Sequence, residues 1–164
     1  MARVSILTCS DKGATGERPD ESGDTIERMA VEAGHTVIRR DVVADDRELI
    51  TERLRTWSDD AQCDIILTTG GTGLTARDVT PEATRAIAER DMPGISMALI
   101  ANGLRYTPYA ALTRGVAVTR GRALIVNLPG SPKAVAQGMD VLLPLFSHIA
   151  ELLHGPVEHS RGEG

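Results

Sequence analysis

The chain has 164 residues, 41% apolar and 25% charged, the make-up of one ordinary globular domain able to bury a core without disulfide or metal staples. Its 18 Lys and Arg stand against 23 Asp and Glu, a formal charge of −5, and aromatic residues are 2% of the chain, which leaves neither a basic footprint nor stacking rows for nucleic acid. No run approaches the roughly 18 consecutive apolar residues of a membrane span, the N-terminus enters a strand pattern without a signal-peptide layout, and two cysteines, Cys9 and Cys63, are too few for a disulfide framework. The expectation is a cytoplasmic protein whose partner is a small molecule or another protein, with one domain over 1–157 and a frayed polar tail over 158–164.

Arg3 to Cys9 is a β-branched and aliphatic run, and the polar stretch Ser10 to Ser22 after it predicts a long irregular loop. Ile26, Met29, Ala30 and Ala33 recur at helical spacing between Gly23 and Ala33, with Gly34 as a stop. His35 to Val43 reads as a strand, Asp45 to Trp57 as a helix carrying Leu49, Ile50, Leu54 and Trp57 on one face, and Asp64 to Thr69 as a buried strand ending at Gly70. Thr80, Pro81 and Glu82 predict a helix start with Thr80 as N-cap and an end near Glu89. A helix over Pro93 to Leu104 follows, then strands Val116 to Thr119 and Ala123 to Asn127 around a turn at Arg120 and Gly121. Ser131 and Pro132 open a last helix in which Pro144 is the candidate kink. This βαβα order predicts a three-layer α/β domain, a mostly parallel central sheet with helices on both faces, whose ligands bind beyond the carboxyl ends of the strands.

Three strand-to-helix loops therefore carry the chemistry: Ser10 to Ser22, Thr68 to Thr80 and Asn127 to Lys133. The second sets Gly70, Gly71 and Gly73 among the hydroxyls of Thr68, Thr69 and Thr72, a composition suited to close backbone approach and N–H donation to phosphate. It is not a Walker loop, since no Lys-Ser or Lys-Thr pair follows. Asp78 in that loop would repel a phosphate unless a divalent cation lay between them; the plainer alternative is a local turn acid. Asp45 and Asp46 stand at the same rim, where an acid before a helix is also commonly a cap. Lys133 falls in the first turn of a helix, where the macrodipole disfavours a cation and a bound anion would relieve it. The first loop lacks the G-x-G-x-x-G spacing of a dinucleotide site. The four histidines have no zinc-ligand spacing, and neither a G-x-S-x-G elbow nor a basic neighbour marks a covalent nucleophile.

Taken together, Ser10-Asp11 after the first strand, Asp20 to Gly23, Gly70-Gly71-Thr72-Gly73 with Asp78-Val79-Thr80-Pro81, and Leu128-Pro129-Gly130-Ser131-Pro132-Lys133 resemble the molybdopterin adenylyltransferase, or MogA-like, family over nearly the whole chain. The resemblance implies a three-layer fold that commonly forms homotrimers, works with molybdenum cofactor assembly proteins, and transfers AMP from ATP to molybdopterin with Mg²⁺ and release of pyrophosphate. It implies Asp45 and Asp78 as catalytic and metal-holding acids. It further implies substrate contacts from Ser10, Asp11, Ser22, Gly70, Gly71, Thr72, Gly73, Thr80, Pro129, Gly130, Ser131 and Lys133. Two departures stand out: Ala44 replaces a proline before the second-strand acid, leaving the register of Asp45 against Asp46 open, and Thr113-Arg114 replaces a usual Ser-Arg pair. A non-catalytic molybdopterin-binding or scaffold protein of the same fold and a related nucleotide-hydrolysing domain are the alternatives.

Overall fold

The computed structural model describes residues 1–155, so the tail expected at 158–164 lies outside the described residues. Strand β1 (Arg3–Cys9) leads through a one-turn helix α1 (Asp11–Ala14) to α2 (Glu21–Glu32), β2 (Thr36–Val43), α3 (Arg47–Ser58) and β3 (Ile65–Thr69). After the glycine loop come α4 (Thr80–Arg85), the two-residue β4 (Arg90–Asp91), α5 (Pro93–Leu104), a 3₁₀ turn over Pro108–Leu112, β5 (Ala117–Arg120), β6 (Ala123–Leu128), α6 (Pro132–Leu142) and α7 (Phe146–His154). The sheet order is β2-β1-β3-β6-β5-β4, parallel from β2 to β6 and antiparallel at β5 and β4. This is the expected three-layer α/β arrangement with a mostly parallel sheet.

Alternation along the central strands builds the layers. Val4 and Ile6 of β1 face a core shared with Ile26 and Ala30 of α2, Val135 and Met139 of α6 and Phe146 of α7. Leu7 and Cys9 face the opposite core with Ile50, Leu54 and Trp57 of α3 and Ala83 of α4. Both faces are covered, which is why the central strands read as near-continuous apolar runs. Leu49, expected on the buried face of α3, is 54% exposed instead.

Several local expectations are corrected. Ser10 to Ser22 is not wholly irregular: the Ser10 side chain accepts from Gly13 N and nucleates α1, while Asp20 caps α2, which begins at Glu21, two residues before the expected start at Gly23. Helix α4 stops at Arg85, not Glu89, because the following backbone turns to pair Arg90–Asp91 with β5. Val79, not Thr80, occupies the N-cap, since the Thr80 hydroxyl donates to the Gly70 carbonyl. The hairpin turns at Gly121, whose φ of +55° suits glycine, and Arg122 rather than at Arg120. Pro144 breaks the last helix in two with an intervening 3₁₀ turn over Leu143–Leu145.

Candidate functional site

Strands β1, β3 and β6 run parallel and end side by side, which delivers the three loops to one rim. They are stitched there by short polar contacts. Thr69 Oγ1 donates to the Pro129 carbonyl at 2.7 Å, Ser22 Oγ to the Gly130 carbonyl at 2.6 Å, and Gly70 N to the Leu128 carbonyl at 3.1 Å. Gly70 has φ +93°, and a Cβ there would lie 2.4 Å from the Cys9 carbonyl oxygen. Only glycine lets the first and second loops touch at this point.

The glycine loop closes on itself through Thr80, whose hydroxyl reaches the Gly70 carbonyl at 3.0 Å and whose N–H reaches that of Gly71 at 3.2 Å. Inside this ring the N–H groups of Gly71, Thr72 and Gly73 donate to no acceptor among the described residues. Three successive unmet donors in a glycine-rich turn are left free to meet an acceptor such as an anion. Both acids flank it. A Cβ on Gly71 would lie 3.2 Å from Asp45 Oδ1, and one on Gly73 would lie 2.9 Å from Asp78 Oδ2.

Each carboxylate is oriented by a neighbour. Asp46 uses its side chain to cap α3 through Leu49 N, while Asp45, one residue earlier, is the acid beside the glycine loop. Asp45 Oδ2 accepts from Asp11 N at 3.1 Å, and Asp11 Oδ1 accepts from Asp45 N at 3.0 Å. Arg77 grips Asp11 with two bonds, at 3.0 and 2.7 Å. Asp78 Oδ2 takes the N–H and the hydroxyl of Thr75, at 2.9 and 2.8 Å. Burial pushes the Asp45 carboxyl above its ordinary range, with the charges of Asp11 and Asp78 acting in the same direction, whereas the Arg77 guanidinium holds Asp11 below it. The Cys9 thiol beneath the loop is pushed up to about 12 by burial, so it stays protonated.

Two cavities adjoin these loops. A polar cleft of about 510 Å³ is lined by Ser10, Asp20, Ser22, Asp45, Gly70, Gly130 and Ser131, among others. An apolar cavity of about 310 Å³ on the α5 side is lined by Thr72, Gly73, Leu99, Ile100, Tyr109 and Pro129, among others. Asp11, Gly71, Asp78 and Thr80, on the adjoining loops, line neither cavity, and nor does Lys133, exposed on the first turn of α6.

Asn127 and Asp20 fall in segments that the motifs single out, but the bonds by which they support the site are not readable there. Asn127 is buried, donates to the hydroxyls of Thr68 and Thr84 at 3.0 Å each, and accepts Val116 N at 3.1 Å. An amide near the end of an otherwise apolar strand is its visible signal, because a buried amide needs partners on every side. Asp20, besides capping α2, accepts the Thr8 hydroxyl and pairs with Arg40 on β2. Nothing local in the sequence announces that pairing.

The fold and the rim define an α/β protein in which a glycine-rich turn lies between two carboxylates at the carboxyl ends of parallel strands. The chain belongs to the family described as "Probable molybdopterin binding domain", matched over residues 5–148, as its motifs led one to expect. A molybdopterin adenylyltransferase of Helicobacter pylori J99 is 35% identical over 154 residues, covering 93% of this chain and 88% of its own. One from Escherichia coli K12 is 34% identical, with 94% and 86% covered. The solved structure of the molybdopterin biosynthesis enzyme MoaB of Thermus thermophilus superposes with a TM-score of 0.88 at 46% identity, covering 95% of this chain and 98% of that one.

Proposed function

We propose that this protein is a molybdopterin adenylyltransferase, transferring AMP from ATP to the terminal phosphate of molybdopterin and releasing pyrophosphate in molybdenum cofactor biosynthesis. The observation that carries this reading is the pair Asp45 and Asp78, each pressed against a glycine of one phosphate-cradling turn. A site that only bound a polyanion would gain nothing from two carboxylates beside it. Related proteins that are named for this activity strengthen the reading.

The nucleophile is a substrate phosphate oxygen, already ionised at neutral pH, so the protein needs neither a covalent nucleophile nor a general base. Its work is in-line positioning and neutralisation of charge. The open amides of Gly71, Thr72 and Gly73 would hold phosphate oxygens, and the N-terminus of α6, capped by Ser131, adds its positive end to the adjoining polar cleft. Lys133 and Arg77 supply mobile positive charge at the mouth, Arg77 by exchanging Asp11 for a phosphate. The polar cleft suits ATP, and the apolar cavity suits the flat pterin.

Asp45 and Asp78 also fit Mg²⁺. Both are hard oxygen donors, and Asp45 Oδ1 and Asp78 Oδ1 accept no hydrogen bond among the described residues. No three His, Cys, Asp or Glu among the described residues converge to hold a metal by themselves, and Mg²⁺ commonly takes one or two carboxylates, completing its shell from water and phosphate. When bound there it supplies neutralisation of charge on the phosphates.

A cytoplasmic homotrimer is part of the same proposal, as is contact with cofactor assembly proteins. Among the described residues no helix is long and apolar enough to cross a membrane. Helix α5 is apolar, yet only Ile95 is buried, and Met97, Leu104, Tyr106 and Tyr109 stand exposed on it and on the turn beyond, a surface suited to burial against further copies.

Incubation with ATP, Mg²⁺ and molybdopterin, followed for pyrophosphate and the adenylylated product, tests the reading. Asp78→Asn should lower kcat by about 10³-fold or more while changing molybdopterin affinity only a few-fold. Equal turnover by the mutant, or binding without pyrophosphate in the wild type, overturns it.

A further inference from the structure

The apolar cavity and the glycine loop meet at one side chain that the mechanism above does not use. Arg114 lies in the extended segment before β5, between Thr113 and Gly115, which both line the apolar cavity. Its backbone N–H donates to the Thr72 carbonyl at 2.9 Å. Its Nε donates to the Gly73 carbonyl at 2.7 Å and its Nη2 to the Asp78 carbonyl at 2.8 Å, while Nη1 pairs closely with Glu82 Oε1. One residue thus binds four points of the loop and of α4. The Arg114 guanidinium also holds the Glu82 carboxyl below its usual range.

We infer that Arg114 is a positioning residue for adenylyl transfer, fixing the glycine loop at Gly73 and the backbone of Asp78 through its guanidinium contacts to their carbonyls. The physical reason lies in peptide planarity. In a trans peptide the C=O of one residue and the N–H of the next point in opposite directions. The guanidinium, by drawing the Gly73 carbonyl, therefore turns the Leu74 N–H to the other side of the loop, while the main-chain N–H of residue 114 does the same for the Thr72–Gly73 peptide. Holding the Asp78 carbonyl steadies the residue from which that carboxylate projects.

The anchor is rigid. A Cβ on Gly115 would lie 3.1 Å from the Asn127 carbonyl oxygen, so the segment packs directly on β6. Val116 N and the Val116 carbonyl both bond Asn127, whose amide also reaches Thr68 and Thr84. Without the Arg114 side chain the loop between Gly70 and Thr80 loses its ties at the Gly73 and Asp78 carbonyls and keeps the main-chain bond from residue 114 to the Thr72 carbonyl, the Thr75–Asp78 bonds, the Arg77–Asp11 pair and the closures at Gly70 and Thr80. A lysine is no substitute, because a single ammonium cannot reproduce a planar fork of donors.

The activity arm rests on the proposed adenylyl transfer; the test therefore includes a measurement independent of it. In Arg114→Ala, amide hydrogen exchange across 71–79 should accelerate at least about tenfold while β3 and β6 amides keep wild-type rates. Its kcat should fall about 100-fold with the KM for ATP within about threefold, and Arg114→Lys should recover less than about a tenth of that loss. Unchanged exchange in the loop, acceleration spread over the whole sheet, or a raised KM at wild-type kcat overturns the assignment. A wild-type chain that forms no pyrophosphate overturns the functional reading instead, and the role of Arg114 in ordering the loop is then decided by the exchange rates alone.

Discussion

Asp11 and Asp45 exchange hydrogen bonds, each carboxylate accepting the other's backbone N–H, at 3.0 and 3.1 Å. Two carboxylates are thereby held side by side, and the strain falls on Asp45, whose carboxyl is raised above its ordinary value chiefly by burial. A raised carboxyl favours folding below its unfolded value, and that contribution is lost as pH rises through the folded value. Ionised Asp45 therefore opposes folding at neutral pH. Asp45→Asn keeps an oxygen for Asp11 N and removes the charge. It should raise Tm at pH 7 by about 1–3 °C while abolishing turnover, as checked by thermal unfolding beside the pyrophosphate assay.

Gly71 and Gly73 separate backbone strain from crowding of the acids. At Gly71, φ is +67° and a Cβ would sit 2.3 Å from the Thr80 hydroxyl, so Gly71→Ala should lose about 1–3 kcal/mol of stability as well as activity. Gly73 has no positive φ, and its nearest obstacle is Asp78 Oδ2 at 2.9 Å. Gly73→Ala should leave denaturant stability within about 1 kcal/mol of wild type while lowering kcat about tenfold or more. The two variants are compared by urea unfolding and by turnover.

How much of this is legible in the sequence follows from the range of the interactions. The apolar runs of β1 and β3 show because burial on both faces leaves them no polar positions except where partners exist. The loops can be singled out because Gly70, Gly71 and the acids are close in sequence to the structure they make. Arg90–Asp91 escapes because two residues held only by pairing with β5 carry no pattern of their own. The grip of Arg114 on Gly73 and Asp78, and that of Arg40 on Asp20, join elements far apart in the chain, and only the topology brings them together. Asp45 and Asp46 are told apart only by the folded neighbours each meets, the Leu49 N–H for Asp46 and the Asp11 N–H and Gly71 for Asp45.

Asn127 bonds three elements with its one amide group, and none of its partners has water within reach, since Thr68 and Thr84 are fully buried. Asn127→Ala strands the Val116 N–H and the Thr68 hydroxyl in the core and takes a donor from the Thr84 hydroxyl, which keeps its own bond to the Thr80 carbonyl. We expect a loss of about 3 kcal/mol, seen as a Tm about 6–12 °C lower, together with lower turnover because the anchor beneath the loops is loosened. Asn127→Asp should be no better, as it keeps the acceptor for Val116 but places an unpaired charge beside the two threonines.

At the opposite end of the sheet, Asp64 fastens the first strand and the last helix. Its carboxylate, almost wholly buried, accepts Arg3 N at 2.7 Å and Arg3 Nη2 at 2.7 Å and lies 2.5 Å from His154 Nε2. Burial alone would raise this carboxyl, but the hydrogen bonds from Arg3 and His154 outweigh it and hold the group below its ordinary value. A depressed carboxyl stabilises the fold above its unfolded value, and that contribution is lost as pH falls through the folded one. Asp64→Asn should therefore cost about 1–2 kcal/mol at pH 7, a modest figure because Arg3 is partly exposed to solvent. The gap between wild type and mutant should stay constant down to about pH 4 and close below it. Urea unfolding at a series of pH values measures that gap, and a difference that widened on acidification would mean that the pair is not what holds strand and helix together.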